Sequence, residues 1–159
     1  GIPDYGDGIV CVDSDEHTEE GYITENFDVR NAMVEKRLRK LSGYEKEMIM
    51  PAFVGKQGYQ FLIVSWGSNY KNIIEALEKI NNDTLAFLHF SQVFPLPKKC
   101  SDYFATAKRI IVIENNATGQ FAKLLRQYFN IQINSLILKY NGLPFTVEEL
   151  TNKIKEKLG

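Results

Sequence analysis

Two short polar segments carry most of the side chains that could take part in chemistry. Residues 65–69 read SWGSN and residues 114–120 read ENNATGQ, and each follows an apolar run. Backbone amides at the start of a helix can hold an anion, but neither segment contains GxGxxG or a GxxxxGK followed by Ser or Thr. The second segment offers a carboxylate, three carboxamides and a hydroxyl, without a lysine, thiol or serine–histidine pair to act as nucleophile. The two segments therefore form no self-sufficient catalytic set.

The simplest role of these residues is to begin helices. Ser68 or Asn69 can cap the helix after the first segment, and Asn116 or Thr118 can cap the helix after the second. The alternative is contact with a ligand or with another domain. The candidate residues for that contact are Ser65, Gly67, Ser68, Asn69, Glu114, Asn115, Asn116, Thr118, Gly119 and Gln120.

An acidic segment near the N-terminus, DSDEH, resembles the start of a calcium-binding loop. Its sixth position is Thr18 rather than glycine and its twelfth is Thr24 rather than glutamate, so the spacing meets no ligand template. We interpret Asp15, Glu16 and His17 as part of a salt-linked polar loop and predict no metal site there.

A basic run, KRLRK, lies on a predicted helix on which Val34, Leu38 and Leu41 share one face. Such a run is typical of a solvated helix face. The alternative is docking of this helix, with Lys36 and Arg37 in contact with an acidic surface of a partner domain.

Three other patterns predict no site. GDG at residues 6–8 opens the thiamine-diphosphate and magnesium motif, but a proline precedes it where that motif needs a buried strand, so a turn is the simpler interpretation. Cys11 and Cys100 lie in no CxxC pair, which argues against zinc, an iron–sulfur cluster and a disulfide scaffold. His89 follows an apolar run and is more simply a hydrogen-bonded core residue than a base.

Composition restricts the class of protein. The 159 residues carry a formal net charge of -1 and are 44% hydrophobic, which is typical of a globular domain and lacks the basic excess of many nucleic-acid-binding proteins. No apolar run is long enough to span a bilayer, and a reduced cytoplasm is the simplest location. The chain begins with Gly1 in a loop-like segment, which fits either a processed protein or a piece of a longer one.

The elements that position these residues divide the chain into two parts. Residues 1–58 are interpreted as an acidic arm with a linking basic helix, and residues 59–159 as an α/β domain. Apolar runs at 61–64, 85–88, 110–113 and 133–138 alternate with amphipathic helices. Near-continuous apolar strands predict a mainly parallel sheet with helices on both faces, a three-layer α/β/α sandwich. Ligands and partners of such sheets meet the loops at the carboxyl ends of the strands.

Six motifs, in order along the chain, resemble one family. They are VDSDEHTEEGYITE, MVEKRLRKL, VSWGSN, LHFSQVFPLP, VIENNATGQFAKLLR and LKYNGLPFT. Together they resemble the C-terminal part of the alpha subunit of 2-oxoacid:ferredoxin oxidoreductases of the 2-oxoglutarate type, from about Asp13 to the end of the chain. Asn69 is a small departure, since threonine is expected there in the family.

The resemblance implies an activity for a whole enzyme and a framing role for this part of it. The family oxidatively decarboxylates a 2-oxoacid with coenzyme A to an acyl-CoA, carbon dioxide and reduced ferredoxin. It implies that thiamine diphosphate, magnesium and iron–sulfur clusters bind elsewhere in the intact enzyme, with no cofactor in this chain. The expected partners are the upstream domains of the subunit, the beta subunit and, through the complex, ferredoxin, coenzyme A and the 2-oxoacid. Neither nucleic acid nor a membrane is expected as a partner.

The resemblance also assigns roles to segments. The chain is similar to the C-terminal domain of transketolase-like enzymes, and Asp15, Glu16, His17, Lys36 and Arg37 belong to an arm between domains. The loop ENNATGQ would face neighbouring domains near the active-site entrance, with direct contact to coenzyme A or substrate as a hypothesis. Two alternatives remain: the corresponding domain of a transketolase or 2-oxoacid dehydrogenase, and a stand-alone nucleotide- or flavin-binding module.

Overall fold

The computed structural model describes residues 14–159 of the chain. The GDG segment at 6–8, Cys11 and Asp13 lie outside the described residues. The chain forms two compact units, Gly1–Glu47 and Met48–Gly159.

The described part of the first unit, residues 14–47, contains one helix and a short bridged turn. Helix α1 spans Phe27–Tyr44, and Asn26 caps it by accepting a hydrogen bond from the amide of Asp28 at 2.9 Å. Before the helix, His17 and Ile23 form an isolated antiparallel bridge. The predicted basic run therefore lies on a helix, as the apolar spacing indicated.

The described residues of this unit form almost no core of their own. Among residues 14–47, Met33 is the single buried residue. Burying one methionine stabilises a fold by about 1.5–3 kcal/mol, whereas ordering the backbone costs about 1–2 kcal/mol for each residue. The packing inside residues 14–47 is therefore too small to stabilise α1.

The second unit is built on a five-stranded sheet. The strands are β1 (Ala52–Val54), β2 (Phe61–Trp66), β3 (Leu85–Phe90), β4 (Arg109–Glu114) and β5 (Ser135–Leu138). Their order across the sheet is β1-β3-β2-β4-β5, with β1 antiparallel to β3 and the other pairs parallel. The helices are α2 (Tyr70–Ile80), α3 (Ser101–Thr106), α4 (Gln120–Phe129) and α5 (Val147–Leu158), with 3-10 turns at Gly67–Asn69 and Lys98–Cys100.

Side chains of the strands alternate between two buried faces of the sheet. On one face, Leu62, Val64 and Val112 pack with residues of α3 and α4. On the other face, Ile63 and Ile111 pack with residues of α2 and α5. This alternation buries both faces because successive strand residues point to opposite sides. The predicted mainly parallel three-layer α/β/α sandwich is confirmed.

Two strands differ from the expectation. The fourth apolar run contributes strand residues only from Ser135, although Ile133 before it is buried in the core. Strand β1 lies before residue 59 and pairs Phe53 with Leu88. Its three residues are too few to show the period of two that marks a strand, so the sequence pattern did not predict it.

Candidate functional site

The chain changes direction across the sheet between β2 and β4. After β2 it forms β3 on one side, and it then crosses to the other side of β2 to form β4. In open parallel sheets, the carboxyl ends of two such strands border a crevice that commonly binds ligands. Segments 65–69 and 114–120 begin at these two strand ends, and Ser65 lies opposite Ile113 in the register of β2 with β4. The structure therefore brings the two candidate loops together.

The last residue of β4, Glu114, is fully buried. Its Oε1 accepts a hydrogen bond from the amide of Ala122 (2.9 Å), and its Oε2 accepts from the amide of Phe121 (2.8 Å) and from Nδ2 of Asn116 (2.7 Å). A buried carboxylate is tolerated when such donors replace water, and the N-terminus of a helix favours negative charge. Glu114 therefore holds the first turn of α4 against the end of β4, and its carboxylate does not face solvent.

The side chain of Asn116 makes hydrogen bonds within the same loop. Its Oδ1 accepts hydrogen bonds from the amides of Thr118 (3.1 Å) and Gln120 (3.2 Å). Gly119 occupies the cap position itself in a left-handed conformation (φ 61°), and a Cβ there would lie 3.1 Å from Cδ1 of Leu136. The prediction that Asn116 or Thr118 occupies the cap position of α4 is wrong, although the side chain of Asn116 still accepts a hydrogen bond from the first helical amide.

These contacts occupy the amides that could have held an anion. The amides of Gln120, Phe121 and Ala122 each donate to a side chain of the loop, and the amide of Lys123 donates to the carbonyl of Gly119. A phosphate or carboxylate ligand at a helix N-terminus needs these donors to be free. The N-terminus of α4 is therefore closed to such a ligand.

The loop after β2 is also held by its own side chains. Ser65 is fully buried, donates to the carbonyl of Ile113 (2.8 Å) and accepts from Nδ2 of Asn69 (3.3 Å). Gly67 makes the turn with a φ of 66°. The prediction that Ser68 or Asn69 caps α2 is wrong, because neither side chain makes a capping hydrogen bond and Asn69 is turned toward the buried serine.

His89 braces the same turn. Its Nε2 lies 2.8 Å from the carbonyl oxygen of Gly67. Because a carbonyl only accepts, Nε2 carries the proton in this bond. The imidazole ring also packs edge-on against Tyr70, with 4.9 Å between the ring centroids. His89 is thus hydrogen-bonded, as predicted, but it is partly exposed and does not belong to the core, which corrects the expectation of a core residue.

The ten candidate residues divide into an inward and an outward group. Those with little or only partial exposure are Ser65, Asn69, Glu114, Asn116 and Gly119. Those that are exposed are Gly67, Ser68, Asn115, Thr118 and Gln120. The inward group is committed to contacts within the domain, so only the outward group can meet a ligand or a partner.

An apolar surface at the same edge of the sheet was not predicted from the sequence. Trp66 ends β2, Phe94 follows β3, and Tyr140 and Leu143 follow β5; their exposed fractions are 37%, 55%, 72% and 62%. We call these four side chains the apolar edge. The signal in the sequence was a large apolar residue inside each of the otherwise polar or proline-containing loops SWGSN, FPLP and YNGLP.

Among the candidate residues of the N-terminal arm, Glu16, Lys36 and Arg37 form ion pairs inside the first unit. The guanidinium of Arg37 donates to both carboxylate oxygens of Glu16, at 3.0 and 2.8 Å, and Nζ of Lys36 lies 2.9 Å from Oε1 of Glu19. The hydrogen bonds from Arg37 lower the pKa of Glu16 from 4.5 to about 2. These pairs tie the bridged turn to α1.

The rest of the acidic loop makes local contacts. Nδ1 of His17 lies 3.4 Å from the backbone carbonyl oxygen of Asp15. Within residues 14–159, no group of three or more His, Cys, Asp or Glu side chains is arranged to hold a metal ion. In the same described part of the chain, no helix is both long and apolar enough to cross a membrane.

Comparison with known proteins identifies relatives of the chain. No model of a known protein family matches it. It is 35% identical, over 86% of its length, to 2-oxoacid:ferredoxin oxidoreductase 1, subunit alpha, of Sulfurisphaera tokodaii. It is 31% identical, over 96% of its length, to the alpha subunit of 2-oxoacid:ferredoxin oxidoreductase 2 of Aeropyrum pernix. The chain is homologous to part of the alpha subunit of 2-oxoacid:ferredoxin oxidoreductases.

The match covers only part of these alpha subunits. The chain spans 22% of the Sulfurisphaera relative and 25% of the Aeropyrum relative. A solved 2-oxoglutarate:ferredoxin oxidoreductase from Magnetococcus marinus, with 2-oxoglutarate, coenzyme A and succinyl-CoA bound, matches the whole of this chain at 25% identity and a TM-score of 0.77. That match covers 28% of the Magnetococcus chain. The resemblance to this oxidoreductase family is therefore confirmed in both sequence and fold.

Replacing Glu114 by Gln tests its role in this alpha-subunit homologue. Glutamine keeps one acceptor oxygen and turns an NH₂ group toward an amide donor, so at least one buried N–H loses its partner. We expect Glu114→Gln to lower the free energy of unfolding in urea by about 1–3 kcal/mol. The control Glu78→Gln, at an exposed position, is expected to change it by less than about 0.5 kcal/mol. Equal effects of the two changes on the free energy of unfolding would contradict the role of Glu114 in holding the first turn of α4.

The pairing of Glu16 with Arg37 predicts a pH dependence in the first unit. Because the folded pKa of Glu16 is lowered, the pair stabilises the turn fully above pH 4.5 and is lost as the pH falls toward about 2. Carboxyl carbon NMR should show Glu16 titrating near 2 in the native chain and at a clearly higher pH in Arg37→Gln, because the largest cause of the lowered pKa is then absent. Lys36→Gln, which removes a different pair, should leave that titration in place; a shift of similar size would refute the assignment to Arg37.

Proposed function

We propose that this chain is part of the alpha subunit of an enzyme that oxidises 2-oxoglutarate with coenzyme A to succinyl-CoA, carbon dioxide and reduced ferredoxin. The homology to these alpha subunits supports the reaction class. The choice of 2-oxoglutarate is supported by the Magnetococcus marinus structure, which holds 2-oxoglutarate, coenzyme A and succinyl-CoA. The proposed location is the cytoplasm, in line with the lone buried thiol of Cys100 among the described residues.

In that enzyme, we assign this domain the task of framing the active site and forming an interface with the beta subunit. The observation that carries this role is the apolar edge beside two closed polar loops. Leu143 and Phe94 expose more than half of their side-chain area on the edge of the sheet where partners usually meet such folds. Large exposed apolar side chains grouped on one surface are typical of protein interfaces.

The polar side chains of the loops support an interface more than a catalytic centre. Glu114, Asn116 and Ser65 are satisfied by groups of the domain itself. Burying this edge against a protein would therefore leave few unpaired polar groups, which limits the desolvation penalty of association. The outward side chains of Asn115, Thr118 and Gln120 can supply hydrogen bonds at the rim of the interface.

The cofactors of the family are placed outside this part of the enzyme in our proposal. The amides at the N-terminus of α4, which could cradle a diphosphate, are occupied by loop side chains. Cys100, the one cysteine among residues 14–159, is buried, and burial raises the pKa of its thiol to about 11, which disfavours the thiolate that an iron–sulfur cluster requires. The described residues thus do not fit thiamine diphosphate with magnesium or a cluster. The same closed helix end argues against a stand-alone nucleotide- or flavin-binding module.

A charge placed on the apolar edge tests the interface. In the intact enzyme, Leu143→Asp should weaken the association of alpha and beta subunits by about tenfold or more, since a buried unpaired charge opposes docking. The control Gln132→Asp adds the same charge at an exposed position before β5, at the other end of the strand, and should not change the affinity. Association is measured by analytical ultracentrifugation. Unchanged association in Leu143→Asp would remove the support for this interface.

A second test separates framing from direct contact with coenzyme A or substrate. Asn115→Ala combined with Gln120→Ala removes two exposed polar side chains from the loop after β4. If the loop frames the site, the KM values for coenzyme A and the 2-oxoacid should stay within about twofold of the native enzyme while assembly weakens modestly. A rise of about tenfold in either KM, with normal assembly, would instead show a direct binding role for the loop.

A further inference from the structure

Helix α1 carries an exposed apolar stripe. Positions 27, 31, 34, 38 and 41 follow one another at alternating spacings of four and three residues, which places them along one side of a helix. Phe27, Val34 and Leu38 are 81%, 38% and 61% exposed, Leu41 is half-buried, and Asn31 is the polar member of the set. We call these five residues the α1 seam. This is the spacing by which one helix packs lengthwise against another.

Other side chains of α1 are already engaged inside the first unit. Met33 is buried, and Lys36 and Arg37 form ion pairs with Glu19 and Glu16. The bridged turn is therefore attached to the helix through residues outside the α1 seam. Lys36 and Arg37, two of the four basic residues of KRLRK, are engaged in these internal ion pairs. They are therefore not free to bind an acidic surface of a partner.

To stabilise α1, residues other than 14–47 must pack against the α1 seam. With Met33 as the single buried residue there, an 18-residue helix lacks the packing that ordinarily keeps a helix formed in water. A cavity of about 490 Å³ at the N-terminal end of the α1 seam is lined by Ile23 and Phe27 together with the polar or charged residues Asp15, Glu16, Thr24, Glu25 and Arg30. The lining is mixed, so the apolar contact of the seam rests on the side chains of α1 itself.

We propose that the α1 seam packs against an amphipathic helix contributed by the remainder of the alpha subunit. This inference rests on the proposed function, in which the chain is one part of a longer subunit. Most of each relative lies outside the matched region, since the chain spans 22% and 25% of the two relatives. The covering helix is expected to carry its own apolar residues at spacings of four and three.

A second copy of this chain fits the α1 seam less well. The helix is about 27 Å long at a rise of about 1.5 Å per residue. One narrow stripe of that length buries much less than the roughly 800 Å² per partner found in stable complexes. A segment of the same polypeptide is held nearby by the chain, so it can pack stably with a small contact area.

Hydrogen–deuterium exchange tests this proposal. The α1 amides are compared in the 159-residue chain and in the intact alpha subunit purified without its beta subunit. We expect exchange to be at least about tenfold slower in the intact subunit, because the covering helix suppresses local opening. Equal protection in the two proteins would overturn the proposal, since the cover would then lie within the chain itself.

A pair of matched variants locates the contact on the α1 seam. In the intact alpha subunit, Leu38→Glu should restore the fast exchange of α1, whereas Ala32→Glu, at an exposed position away from the seam, should not. Leu38→Met should retain protection. Residues 48–159 should keep native exchange in all three variants, which separates loss of the contact from general unfolding. The same exchange rate in Leu38→Glu and Ala32→Glu would refute the role of the seam.

Two further outcomes distinguish this proposal from its alternatives. Protection of α1 that rises with protein concentration, together with a doubled mass in light scattering, would identify a second copy as the cover and overturn the proposal. The exchange experiment uses the alpha subunit alone, so it is independent of the association of Leu143→Asp with the beta subunit. Normal association in that variant with a protected seam would reject the interface at the apolar edge and keep the seam contact.

Discussion

The buried carboxylate of Glu114, the last residue of β4, fixes how the loops are arranged where the parallel strands of the sheet end. The salt bridges of residues 14–159 do not include Glu114, so N–H donors must replace the water that its charge has lost. Phe121 and Ala122 supply two amides from the first turn of α4, and Asn116 supplies a third donor from the loop. The strand end, the loop and the helix start are therefore fixed together. Removing any one of them would expose the buried charge to an unfavourable environment.

The same arrangement explains why a crevice that commonly binds ligands does not present free polar groups here. On the β2 side, Ser65 bridges to the carbonyl of Ile113 and receives the carboxamide of Asn69. On the β4 side, the helix amides are satisfied within the loop. What remains exposed is largely apolar, with Trp66 and neighbouring loop residues at the rim. An edge of this kind gains more from covering by a protein surface than from binding a small anion.

The spacing of apolar residues predicted the layers of the fold, because the pattern of a buried strand or an amphipathic helix is complete within a short stretch of sequence. It did not decide which way loop side chains point. Glu114 continues the alternation of Ile110 and Val112, which face α4, so parity along the strand could have indicated that it turns inward. Asn69 could not cap α2 because its backbone is already helical (φ −76°, ψ −7°), whereas a capping side chain needs an extended backbone. The antiparallel pairing of β1 is a long-range contact without a local signal.

The two units depend on neighbours to different degrees. The sheet domain buries residues on both faces of its sheet, so covering the apolar edge adds contact area to a domain already stabilised by its own core. Among the described residues of the first unit, only Met33 is buried, so the helical conformation of α1 depends on its packing against a neighbour. Coupled ordering weakens association by the conformational entropy that is lost. The bidentate pair between Glu16 and Arg37 reduces that loss because it holds the turn against the helix before the partner arrives.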